Sequence, residues 1–87
     1  MTKRIAVISA ILERPEECQV EFNSTLSGFK GIIKGRMGIP FEDEGISVVS
    51  ITVSATLDKI NSLTGKLGKI EHVTVKTAIS KKEMPCR

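Results

Sequence analysis

The 87-residue sequence has no tryptophan, no tyrosine and only three phenylalanines. Its core must therefore be assembled from Ile, Val and Leu, a composition that suits a sheet. There is one histidine, His72, so paired-imidazole chemistry needs a second subunit. Cysteine is also scarce. Cys18 and Cys86 lie far apart, with Cys86 one residue from the end, and no Cys-x-x-Cys occurs. A disulfide framework is not expected, and a reducing, cytoplasmic location is the simpler reading. Charge of one sign is not concentrated anywhere: 13 Lys and Arg are mixed with 10 Asp and Glu for a net +3. That balance permits nucleic acid without indicating it. The longest apolar stretch, residues 4–12, is short, lacks a small-residue cleavage site and runs into LERPEE. It reads as a strand, and no membrane association is expected.

Along the chain, four strand-like and two helix-like segments follow one another without linker or repeat. Residues 4–12 are apolar on both alternate sets of positions, as in a central strand covered on both faces. Pro15 can open a helix, Glu16 and Glu17 suit its positive end, and Cys18, Phe22, Leu26 and Phe29 recur at helical spacing before Gly28 and Gly31 interrupt it. In residues 32–39, Ile33, Gly35, Met37 and Ile39 point one way and Lys34 and Arg36 the other. Turn residues 40–45, PFEDEG, precede a β-branched strand at 46–55. Thr56 caps a second helix striped by Ile60, Leu63 and Leu67 and closed by Gly68, and residues 72–79 alternate again. The order is βαββαβ.

This order is that of the α+β ferredoxin-like sandwich, an antiparallel four-stranded sheet of order 4-1-3-2 with both helices on one face. A single domain over residues 1–80 and a mobile tail over 81–87 are expected. The face without helices, assigned to Ala6, Ile8, Ala10, Ile46, Val48, Ser50 and Thr52, is too apolar to remain in water. At this length only roughly two-thirds of the unfolded chain's surface can be buried, which also favours shared cores. A homo-oligomer, dimer or tetramer, is the expectation.

Enzyme classes built on this fold lack their residues. LERPEE carries three carboxylates beside Arg14 and no glycine, so it cannot cradle a phosphate, and Arg14 reads as a solvated loop residue. Metal transfer needs paired thiolates that are absent. Base stacking on the sheet needs aromatics on central strands, whereas Phe22 and Phe29 fall on a helix and Phe41 in a turn. His72 reads as a surface residue at the start of a strand, Cys18 as core, and Cys86 as part of the tail. The contiguous Glu42, Asp43 and Glu44 lack the spaced ligands of a calcium loop. No catalytic residue, metal or cofactor is expected.

The segment GRMGIP, residues 35–40, stands out because two glycines in a strand weaken it unless something requires them. With IIKGRMG, EGISVVSI and the later SLTGKLGKI, it resembles the iron-only hydrogenase system regulators, a small family of stand-alone ACT-like domains. The resemblance covers residues 3–79. It implies a ferredoxin-like fold akin to the C-terminal domain of nickel-responsive repressors, assembly through sheet faces or edges, and a connection with hydrogenase expression or maturation. Two of the repressors' features do not carry over: the ribbon-helix-helix arm that reads DNA, and a histidine-rich nickel site, which one His and two distant Cys cannot rebuild. Gly35, Arg36, Met37, Gly38, Ile39 and Pro40 are the candidate ligand-binding or interface residues. Missing side chains at the glycines allow close approach, and Arg36 offers a fork of donors to a small anionic ligand. The bland alternative is a bulge before Pro40 with Arg36 blunting an edge. The function expected is a non-enzymatic oligomeric regulatory or ligand-sensing module, with a protein of the hydrogenase system as partner. The competing class is a small basic transcriptional regulator that contacts nucleic acid through Lys34, Arg36 and Lys76.

Overall fold

The computed structural model describes residues 2–85, so Cys86, expected in the tail, lies outside the described residues. Its elements are β1 (Thr2–Leu12), α1 (Pro15–Ser27), β2 (Ile33–Phe41), β3 (Ile46–Ala55), α2 (Leu57–Gly68), β4 (Val73–Ile79) and a two-residue β5 (Met84–Pro85). The main sheet runs β2-β3-β1-β4 with every neighbouring pair antiparallel. Read from its other edge this is the expected 4-1-3-2 order, and the fold is the ferredoxin-like α+β sandwich.

Local chemistry accounts for the helices. Pro15 sits in the first turn of α1 with Glu16 and Glu17 beside it, favourable at the positive end of the helix dipole, and Gly28 caps its end. Phe29, placed on the α1 stripe by spacing, lies in the turn after it, half-buried, with Lys66 Nζ 5.3 Å from its ring centre. In α2 the Thr56 hydroxyl accepts from the Lys59 amide at 3.5 Å, Asp58 lies in the first turn and Lys66 in the last. Cys18, Phe22 and Leu26 from one helix and Ile60, Leu63 and Leu67 from the other bury the apolar stripes. They meet Ala6, Ile8, Ala10 and Leu12 of β1 and Val49, Ile51, Val53 and Ala55 of β3.

That register corrects the β1 half of the expected open face, whereas Ile46, Val48, Ser50 and Thr52 of β3 lie on the open side as expected. Ala6, Ile8 and Ala10 pair with Val53, Ile51 and Val49 beneath the helices. The uncovered side of β1 instead carries Ile5, Val7, Ser9 and Ile11, opposite Ser54, Thr52, Ser50 and Val48. Because β1 is apolar at both parities, alternation alone could not choose which set met the helices.

β2 also departs from simple alternation. A register shift between Ile33 and Gly35 inserts Lys34 as an extra residue, so Ile33 faces the helix side opposite Val53. Beyond the bulge Gly35, Met37, Ile39 and Phe41 lie on the open side, and Arg36, Gly38 and Pro40 on the helix side. Phe41, expected in a turn, ends the strand; the turn that follows contains Gly45 at φ 68°, a conformation that favours glycine.

Residues 81–85 fold back on β1. Met84 and Pro85 pair with Lys3 and Thr2. Arg4 Nη2 and Thr2 Oγ1 each donate to Glu83 Oε1 at 3.1 Å, and the Ile5 amide donates to Ser80 Oγ at the same distance. The Arg4 hydrogen bond, then that of Thr2 and the Arg4 charge, hold the Glu83 carboxyl below its ordinary pKa.

Candidate functional site

β2 is an edge strand that neither helix covers. All its residues after Ile33 are exposed, although half of them point to the helix side. The offset between α1 and β2 leaves a cleft of about 220 Å³. Its base is the buried Leu12, Phe22 and Val49; Gln19 and Asn23 of α1 form one rim, and Arg36, Gly38 and Pro40 of β2 the other. Strand alternation sorts the six sequence candidates: Arg36, Gly38 and Pro40 border the cleft from the helix side, Gly35 and Met37 have their positions on the opposite face of the sheet, and Ile39, on that opposite face by register, also contributes to the cleft wall.

Arg36 Nη2 donates to Asn23 Oδ1 at 2.6 Å. This is the one hydrogen bond of the Arg36 side chain among the described residues, and its acceptor is neutral. The contrast with the other described arginines is chemical. Arg4 pairs with Glu83 and Arg14 with Glu17, each at 3.1 Å, whereas Arg36 has no carboxylate within ion-pair distance among the described residues. The Arg36–Asn23 bond also separates the cleft from an adjoining hollow of about 320 Å³, bordered by Leu26, Ser27, Lys30 and Ile33. Asn23 did not stand out in the sequence. It follows the core residue Phe22 on α1, and only the placement of that helix against β2 gives it a role.

Neither glycine of GRMGIP is required by the packing of its own chain. A Cβ added at Gly35 or Gly38 would meet nothing within 4 Å, and neither has the positive φ found at Gly45. The space beside each is open, at Gly38 on the cleft side and at Gly35 on the open face.

That open face is broadly apolar. Ile5, Val7 and Ile11 of β1 are 45%, 40% and 42% exposed, and Met37, Ile39 and Phe41 of β2 are 60%, 45% and 44% exposed. Val48 lies between the two sets, opposite both Ile11 and Ile39. Ser9, Ser50 and Thr52 provide a small, uncharged centre, and the Lys76 position marks the β4 border opposite Ser9. Phe41 gives this face one aromatic, at its edge.

The remaining candidates do not join either region. His72 sits in the turn before β4 at φ 71°, held by its carbonyl accepting from the Glu13 amide at 2.9 Å. Its Nε2 lies 3.7 Å from carboxylate oxygens of both Glu17 and Glu71. Cys18 is buried, and that burial pushes its thiol pKa up, so it is held as an unreactive core group. Glu42, Asp43 and Glu44 are exposed in the β2–β3 turn. No helix of the described residues is long and apolar enough to cross a membrane.

Comparison with known proteins agrees with this architecture. The solved structure of "uncharacterized protein TM1266 from Thermotoga maritima" superposes with a TM-score of 0.86 at 32% identity, covering 91% of this chain and 99% of that one. No curated protein matches. A family model described as "TM1266-like: Iron-only hydrogenase system regulator, putative" matches residues 4–77, from within β1 into β4 and across the whole α1–β2 cleft. The chain belongs to this TM1266-like family.

Proposed function

We propose that the protein is a non-enzymatic regulatory module of the iron-only hydrogenase system, working in the cytoplasm as a homo-oligomer, a dimer or tetramer, that senses a small ligand. The observation that carries this reading is the open sheet face. Six large apolar side chains at 40–60% exposure on one flat surface are unusual for a monomer, whose exposed apolar residues are normally scattered. A second copy offers a matching surface, uncharged at its centre and apolar around it, which suits an isologous contact. GRMGIP then contributes Gly35, Met37 and Ile39 to the contact.

The chemistry of the cleft supports a binding role over a catalytic one. Gln19, Asn23, Arg36 and Ser47 border it, and none is a general acid or base that titrates near neutral pH. An assembly whose ligand site shares the β2 strand with its contact surface, on the other face of the sheet, is a means of regulation, because ligand can bias the association of subunits or of a hydrogenase-system protein.

Light scattering after size exclusion at micromolar concentration tests the assembly: a multiple of the monomer mass is expected, and a monomer overturns it. Deleting the gene in its host tests the connection with the hydrogenase. Altered hydrogenase transcript or maturation is expected, and an unchanged enzyme at unchanged level contradicts the regulatory reading.

A further inference from the structure

We infer that the α1–β2 cleft binds a small monocarboxylate with an apolar body, its carboxylate displacing Asn23 and engaging the Arg36 guanidinium through two parallel hydrogen bonds. The inference rests on the ligand-sensing part of the proposed function and names the ligand class. Three observations support it. Arg36 is the described arginine without a carboxylate, held instead by the neutral Asn23 amide at 2.6 Å. A carboxylate is the stronger partner, since a charged acceptor in bidentate geometry exceeds a single amide oxygen. The cleft beside it is about 220 Å³, below the ~300–1,000 Å³ of sites for drug-sized ligands. Its base is the buried, apolar Leu12, Phe22 and Val49, which a short hydrocarbon would cover.

The same lining narrows the class. Among the described residues Arg36 is the single cation bordering this cleft, so a phosphate dianion would be incompletely neutralised there. No carboxylate of the described residues borders it either, so the ammonium of an amino acid would have no counter-charge. Gly38 keeps the entrance open, because its missing side chain leaves room between β2 and α1.

The test uses 4-methylpentanoate, its amide 4-methylpentanamide, leucine and inorganic phosphate, each at millimolar concentration, with amide shifts of the labelled full chain as the readout. The acid is expected to move Asn23, Arg36, Gly38 and Ser47 saturably, and the other three compounds to bind about tenfold more weakly or not at all. Asn23→Asp places a carboxylate beside Arg36 within the chain and should abolish binding while the spectrum stays native. Gly38→Val, whose Cβ meets nothing in the subunit, should block the cleft with the same native spectrum. The amide or phosphate binding as well as the acid, no saturable shift in the cleft, or unchanged binding in a folded Asn23→Asp would each overturn the inference. These outcomes are separable from failure of the assembly reading, because light scattering reports subunit association without any ligand.

Discussion

Val7→Lys is the most direct perturbation of the open face. Val7 lies mid-face, opposite Thr52 on β3 and Ala78 on β4, and is 40% exposed in the subunit. Complete burial of an aliphatic side chain contributes ~1.5–3 kcal/mol, so covering the remaining two-fifths contributes ~0.6–1.2 kcal/mol. In an isologous dimer the residue occurs twice, and each lysine adds the cost of drawing an ammonium toward a dry contact. Together these terms amount to ~2–3 kcal/mol, which raises the dimer dissociation constant about 30- to 150-fold. The subunit itself should lose little, because lysine at that position can reach water when the face is free. Sedimentation velocity across a concentration series measures the dissociation constant, with circular dichroism to confirm the fold. Val20→Lys serves as the control, since Val20 is 83% exposed on α1, away from this face, and should associate as the wild type does. A folded Val7→Lys with a wild-type dissociation constant would refute the reasoning.

Three further outcomes follow from the same geometry. Phe22→Ala, at a site with 0% exposure that also forms the base of the cleft, should cost about 3–5 kcal/mol in urea unfolding. Gly35→Val should fold as a subunit, since its Cβ meets nothing within 4 Å, yet weaken association, whereas Arg36→Ala should leave association intact; equal association in wild type and Gly35→Val would remove Gly35 from the contact. The contact of residues 83–85 with Thr2–Arg4 should loosen with acid: the folded Glu83 carboxyl lies below the ordinary 4.5, so its stabilisation is fully present above that value and is lost as pH falls through the lowered one. The protection of the Met84 amide, its exchange rate divided into the intrinsic rate at each pH, should fall across that window in the wild type, and Glu83→Gln should remove that fall.

The element order and sheet topology were legible because each strand and helix announced itself by local period and by punctuation: Pro15, Thr56 and the PFEDEG turn are local signals. The faces were less legible. In β1 both Ala6–Ile8–Ala10 and Ile5–Val7–Ile11 are apolar, so neither parity declares itself buried, and the set expected on the open side is the one that the helices cover. In β2 the bulge at Lys34 moved Ile33 off the face of Met37 and Ile39, which no side-chain pattern encodes. GRMGIP was readable as a special segment, but its division between a cleft and an open face was not, because the partner of Arg36 is thirteen residues away on another element. The return of residues 83–85 onto β1 rests on Arg4 and Glu83, 79 positions apart and without any hydrophobic period.

The proposed homo-oligomer requires that a second copy cover the open sheet face in solution. A soluble paramagnetic probe broadens methyl signals according to their solvent exposure, so it measures that cover residue by residue. Val7 at 40% and Leu57 at 41% are equally exposed in the subunit, one on the open face and one on α2, which makes them a matched pair. At concentrations where the protein associates, the methyls of Ile5, Val7, Ile11 and Ile39 should be protected while those of Leu57 and Val20 broaden. Equal broadening of Val7 and Leu57 would contradict the claim.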